Sequence, residues 1–210
     1  MIKKYLRLLI VTSVIILLPI AVGLVLWGQL PDQFPVHWSM EGEVDGWAPK
    51  AFAVFGLPLF LLAMQWGCTL ATLADPKKQN HTQKALTVAL WIIPVIGTVL
   101  ASVIYFSAMG GDVRVERILP VLLGLLFVAI GNYLPKCRQN YTIGIKIPWT
   151  LHSEENWNKT HRLAGFVWVV CGILMMATGF FGITWVLLVL ALPMILIPFV
   201  YSYLLYRKGI

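Results

Sequence analysis

Residues Leu6 to Gly28 read LRLLIVTSVIILLPIAVGLVLWG, and after Arg7 no charged side chain interrupts them. At 1.5 Å of rise per residue these 23 residues make a helix about 34 Å long, enough to cross roughly 30 Å of hydrocarbon. Five further runs share this character: Ala51 to Ala74, Ala85 to Met109, Ile118 to Leu134, Leu163 to Gly182 and Ile183 to Tyr206. Each is apolar on every face and lacks the polar stripe of a helix that meets water. The runs are continuous, whereas strands of a membrane barrel alternate over about ten residues, so the sequence predicts helices. Pro19, Pro58, Pro94, Pro193 and Pro198 fall inside them and read as kinks whose freed carbonyls neighbouring helices satisfy.

Whole-chain composition agrees. Of 210 residues, 59% are hydrophobic and 12% charged, with mean hydropathy +0.81. A soluble domain carries about 25% charged residues, so this chain cannot cover a water-facing surface. That excludes a soluble enzyme, a nucleic-acid-binding domain and a disordered tail. The net charge of +7 is a matter of topology instead. With the N-terminus inside, the inner side holds Lys3, Lys4, Arg7, Lys77, Lys78, Lys84, Lys136, Arg138, Lys146, Lys159, Arg162, Arg207 and Lys208. Only Lys50, Arg114 and Arg117 lie outside, as the positive-inside rule requires. The expected architecture is an all-α polytopic membrane protein. It has six transmembrane helices, cytoplasmic N- and C-termini, a short extracellular cap and a structured cytoplasmic loop. The apolar run of the first segment is longer than the 7–15 residues of a signal-peptide core, so it reads as a retained span. Residues 1–84 form an expected two-span unit and residues 85–210 a four-span unit.

The first long connection, between Gln29 and Lys50, is extracellular. Phe34, Val36 and Trp38 alternate with Pro35 and His37 as a short strand, and Asp45-Gly46 reads as a turn. Four acids against Lys50 make the cap acidic, suited to a cationic peptide. The candidate outer contacts are His37, Trp38, Glu41, Glu43, Asp45 and Trp47, with the two tryptophans expected at the interfacial belt. His37 with these acids also suggests a divalent cation, but the spacing matches no defined site and no metal or other cofactor is expected.

The second long connection, Asn132 to Arg162, is cytoplasmic. Tyr141, Ile143, Ile145 and Ile147 read as a strand-like stretch broken by Gly144. Ser153 followed by Glu154 and Glu155 reads as a helix N-cap, with Trp157 and His161 one turn apart on the helix that leads into the fifth span. The candidate residues here are Asn132, Asn140, Gly144, Lys146, Pro148, Trp149, Thr150, Trp157 and His161. The link from Asp75 to Lys84 reads as an ordinary polar turn with a solvated His81. Cys68, Cys137 and Cys171 have no ligand spacing; the mid-span pair read as small buried hydrophobes and Cys137 as a reduced surface thiol. No phosphate-binding, zinc-protease or serine-hydrolase motif occurs, and no catalytic residue is assigned. Deep span interiors hold no Asp, Glu, Lys, Arg or His, which argues against an ion-coupled transporter.

Two sets of residues resemble a known family. Leu30-Pro31-Asp32, Val36-His37-Trp38, Gly42, Asp45-Gly46-Trp47 and Lys50 resemble the N-terminal domain of unknown function of the SdpI family. Gly131-Asn132-Tyr133-Leu134-Pro135, Asn140-Tyr141-Thr142-Ile143-Gly144, Pro148-Trp149-Thr150-Leu151, Trp157 and Thr160-His161-Arg162 resemble its C-terminal signature. Lys146-Ile147 stands where the family usually has Arg-Thr, which keeps the charge but loses the bidentate fork. The resemblance implies a bacterial plasma-membrane immunity protein against a secreted cationic antimicrobial peptide. It also implies signalling through an ArsR-type repressor held at the membrane, without direct nucleic-acid binding. The partners expected are then the lipid bilayer, the toxin and that repressor. The alternatives are an interfacial enzyme acting on lipid or peptide, with His161, Glu154 or Glu155 as acid/base groups, and a small permease.

Overall fold

All six apolar runs are helical in the computed structural model, which describes residues 2–210, with side chains from Tyr5 onward. Lys3 and Lys4, two of the charges that orient the N-terminus, lie outside the described side chains. Helix α1 spans Ile2–Val25, α2 Leu57–Leu73, α3 Gln83–Ala108, α4 Val115–Tyr133, α6 Glu154–Phe180 and α7 Val186–Arg207. A π-helical turn, Phe52–Gly56, leads directly into α2, and a five-residue helix α5, Pro148–His152, precedes α6. Among the described residues these are six helices long and apolar enough to cross a membrane. The protein is therefore an all-α polytopic membrane protein.

The chain folds as two units, Met1–Leu70 with Ala89–Glu116, and Ala71–Val88 with Arg117–Ile210. In the first, strands β1 (Gln33–Trp38) and β2 (Val44–Pro49) pair antiparallel. The alternation read from Phe34 to Trp38 is a strand, as expected, but Asp45-Gly46 is not the turn. Both residues lie in β2, and the chain reverses over Ser39–Glu43 with Gly42 at φ 89°. The pairing of Phe34 with Ala48 and of Trp38 with Val44 centres the reversal on Glu41, ahead of Asp45-Gly46, with a local irregularity at His37. The hairpin's inner face seats Phe34, fully buried, against Tyr105, ring centroids 5.6 Å apart and nearly perpendicular, in a cluster with Leu30, Ala53, Val54 and Ile104. Burying Phe34 stabilises this lid by roughly 1.5–3 kcal/mol.

In the second unit α4 and α6 approach through glycines seven residues apart. A Cβ on Gly124 would meet the Gly172 carbonyl at 2.5 Å, and one on Gly131 the Gly165 carbonyl at 2.9 Å. Lipid supplies no hydrophobic drive between helices, so close backbone approach is what holds this pair. Helix α7 packs its Met194 against Val167, Cys171 and Met175 of α6.

The expectation that neighbouring helices satisfy proline-freed carbonyls holds at two positions. Pro94 offers no N–H to the Leu90 carbonyl, and the buried Gln65 of α2 donates to it at 3.0 Å and to Thr12 Oγ1 at 3.0 Å. Pro198 frees the Met194 carbonyl, and Trp168 Nε1 donates to it at 3.0 Å. Two cysteines differ from expectation. Cys137 is buried, its thiol 3.4 Å from the Tyr133 carbonyl, because the loop folds back over it, and that burial raises the thiol's pKa. Cys68 is exposed on α2.

Candidate functional site

Chemistry-bearing residues gather in two places, one in each unit. On the hairpin, five of the six outer candidates are exposed: His37, Glu41, Glu43, Asp45 and Trp47. Trp38 is half-buried instead and packs against the Phe34 cluster, because the strand's alternation turns it inward with Val36. His37 crosses the bare backbone of Gly46, whose Cβ would lie 2.7 Å from that of His37, and its Nδ1–H donates to Asp45 Oδ1 at 2.5 Å. Lys50 is drawn away: its Nζ donates to the Trp27 carbonyl at 3.2 Å and lies 5.1 Å from the Trp27 ring centroid. The exposed face is thus left acidic around one large aromatic ring. Among the described residues no three His, Cys, Asp or Glu side chains converge as a metal site would need.

At the other site, the stretch from Gln139 to Ile147 is not a strand. It has no strand to pair with, so its amides are satisfied by side chains. Asn140 Oδ1 accepts from the Thr142 and Ile143 amides at 2.9 and 2.7 Å, while its Nδ2 donates to the Arg138 and Ile143 carbonyls. The Tyr141 amide donates to Asp75 Oδ2 at 2.9 Å and the Ile147 amide to Thr150 Oγ1 at 3.1 Å. The Ile145 amide donates to His161 Nε2 at 2.9 Å. His161 Nδ1–H in turn donates to the Trp157 carbonyl at 2.8 Å, so a single neutral tautomer makes both bonds. Its ring stacks on Trp157 at 3.9 Å, and Trp157 Nε1–H donates to the Cys137 carbonyl at 2.7 Å. Gly144 passes over this stack at φ 125°, where a Cβ would lie 2.5 Å from His161 Nε2. Ser153 caps α6 as the sequence predicts, accepting from the Asn156 amide at 3.2 Å.

Asn140, Gly144, Thr150, Trp157 and His161 therefore belong to one assembly. Trp157 is fully buried. Trp149 packs on Phe199, Tyr203 and Tyr206 of α7, ring centroids 5.1–6.1 Å away. Pro148 opens α5, and exposed Lys146 donates to the Thr142 carbonyl at 3.1 Å. Asn132, exposed on the last turn of α4, takes no part in these bonds among the described residues.

The link from Asp75 to Lys84 is no ordinary turn. Asp75 and His81 side chains are almost entirely buried, His81 Nε2 standing 3.2 Å from Asp75 Oδ2 and 3.2 Å from Thr142 Oγ1. Burial alone would raise the Asp75 pKa. Hydrogen bonds from the Lys77 amide, the Thr142 hydroxyl and the Tyr141 amide, together with the His81 charge, outweigh it and hold the carboxyl below its ordinary value. Lys77 Nζ donates to Gln139 Oε1, Asn80 Nδ2 donates to the Gln139 carbonyl at 2.7 Å, and Gln139 Nε2 donates to the Thr150 carbonyl at 2.8 Å. Sequence reasoning missed Asp75, His81 and Gln139; the available signal was an acid and a histidine held in one short link.

Two of the three acid/base candidates are already engaged, while Glu154 is exposed at the start of α6. Both His161 nitrogens are bonded, and Glu155 accepts from Lys159 at 2.8 Å. Six spans, a hairpin lid and a loop built by side chains define a multi-pass membrane protein whose conspicuous surfaces suit binding. Residues 136–202 match the model of the SdpI/YfhL protein family, and residues 14–62 match that of a domain of unknown function, DUF1648. It is 26% identical over 206 residues to the Immunity protein SdpI of Bacillus subtilis (strain 168), covering 95% of this chain and 96% of that protein. No solved structure matches. The two family segments contain the hairpin and most of the loop, while Asp75 and His81 fall between them.

Proposed function

We propose that this protein protects the cell that makes it against a secreted cationic antimicrobial peptide. The observation that carries this reading is the match to an immunity protein along nearly the whole of both chains. The hairpin supports it: His37, Glu41, Glu43, Asp45 and Trp47 offer acid and aromatic surface together, and Lys50 does not neutralise them. Such a face attracts a cation over a distance and gives it a ring to settle on. The N-terminus then lies in the cytoplasm, as the distribution of Lys and Arg requires. Signalling through an ArsR-type repressor is the finer reading, and the rigid loop from Gln139 to Ile147 is the surface such a partner would meet.

Expression in a peptide-sensitive strain tests the function. Survival at peptide concentrations that kill the parent is expected, and a Trp47→Ala/Asp45→Ala variant inserted at equal level should lose most of it. Unchanged sensitivity with confirmed insertion refutes the reading. Solute flux or substrate turnover in proteoliposomes would move the protein to the permease or enzyme class.

A further inference from the structure

Four cations surround the loop that follows α4. Lys136, Arg138 and Lys146 belong to it, and Lys77 stands beside it with Nζ 5.5 Å from the Tyr141 ring centroid. Among the described residues none of the four lies within ion-pair distance of a carboxylate. The acid nearest in the network, Asp75, is turned inward and occupied by the Lys77 and Tyr141 amides, the Thr142 hydroxyl and His81. The loop surface therefore keeps its positive charge on a frame held still by Asn140, Thr150 and His161.

The depth of that frame is marked independently. Trp149, three residues beyond Lys146, packs on Tyr203 and Tyr206 in the last turns of α7, immediately before Arg207. Aromatic rings at span ends sit at the level of lipid headgroups. Lys136 closes the 3-10 turn that continues α4, three residues past its end, and Lys77 follows α2 by four residues, so both leave helix ends at this end of the unit. Tyr141, 46% exposed, adds a ring that is apolar on its faces and polar at its tip.

From this we infer that the rim of Lys77, Lys136, Arg138 and Lys146 is a binding site for the phosphate headgroups of anionic phospholipids. A lipid fits better than a soluble acidic protein because the cations are fixed at headgroup depth, beside aromatic rings. Arg138 supplies a fork for the phosphate oxygens and the lysines supply point charge.

Full-length protein in neutral detergent, offered phosphatidylglycerol, phosphatidylcholine or inorganic phosphate, provides the test, read by native mass spectrometry and melting temperature. Phosphatidylglycerol should be retained in preference to phosphatidylcholine, with affinity falling about fivefold for each cation replaced. A Lys77→Gln/Arg138→Gln/Lys146→Gln variant should lose about a hundredfold, whereas Lys159→Gln, whose ammonium pairs with Glu155, should lose nothing. Should the triple variant melt early in detergent alone, Arg138→Gln by itself carries the test with its fivefold loss. Equal retention of both lipids, unchanged affinity in these variants, or a thermal shift from inorganic phosphate as large as that from the lipid overturns the proposal. An acidic peptide that displaces phosphatidylglycerol would put a soluble partner in the lipid's place and overturn it too.

Discussion

Replacing Trp168 by Phe should cost more when residue 198 is proline than when it is alanine. Proline at 198 leaves the Met194 carbonyl without its helical N–H, and Trp168 Nε1–H fills that place at 3.0 Å. Phenylalanine has no donor, so the carbonyl is left bare. A buried unpaired polar group costs about 1–3 kcal/mol. Hydrogen bonds between membrane helices average about 0.6 kcal/mol and reach about 1.7, so about 1 kcal/mol is the expected coupling. Trp168→Phe also alters the edge-on packing with Phe127, ring centroids 5.5 Å apart. That loss occurs in both backgrounds and cancels in a double-mutant cycle. Pro198→Ala restores an N–H to the helix and should make Trp168→Phe about 1 kcal/mol cheaper. Unfolding in mixed micelles with rising dodecyl sulfate, followed by far-ultraviolet circular dichroism, measures all four proteins. A coupling below about 0.5 kcal/mol, the range of independent sites, would refute the claim that the tryptophan serves the proline.

Gly144→Ala should destabilise the loop by about 2–4 kcal/mol, from left-handed backbone strain and a Cβ driven into the His161–Trp157 stack. Faster hydrogen exchange at the Ile145 amide reports it, and an unchanged rate would show that the stack yields. Asp75 has a lowered pKa in the folded protein, so its contribution is complete above the unfolded value of about 3.9 and is lost as pH falls through the folded one. Exchange protection at the Tyr141 amide should therefore hold from pH 8 to about 5 and collapse only in stronger acid; in Asp75→Asn it should be weak throughout, and a pH-dependent loss surviving in that variant would implicate another group. Gly131→Leu should lower the melting temperature in detergent markedly while Asn132→Leu, one residue on and exposed, should not; equal effects would deny the close α4–α6 approach.

What could be read from sequence was what depends on local length and polarity. The six spans follow from unbroken apolar runs, β1 from alternation at Phe34, Val36 and Trp38, and the start of α6 from Ser153 and the acids after it. Even the proline carbonyls were legible in kind, though not that Gln65 and Trp168 would fill them. Most of the failures are non-local. Asp75 meets Tyr141 and Thr142 across more than sixty residues, and an acid and a histidine in one polar ten-residue link do not say which distant groups they meet. Tyr141 to Ile147 has a strand's composition, but no second strand lies beside it, and Asn140, Thr150 and His161 take its amides instead. Cys137 looked exposed because its neighbours are charged, yet a loop folded over a helix end buries by shape rather than by composition. Trp38 and Trp47 looked alike and differ only because strand alternation turns one inward.

The hairpin also has a mechanical meaning. Its inner side wedges Phe34 against Tyr105, and the Tyr105 hydroxyl donates at 2.9 Å to the carbonyl of Pro19, the proline within α1. A load applied to Trp47 or Asp45 on the outer side is thus borne by a rigid ring pressed on another ring that is pinned to the first span at a point where its backbone ladder is interrupted. The exposed hairpin and the proline within the first span are thus joined, through three residues, by one ring contact and one hydrogen bond.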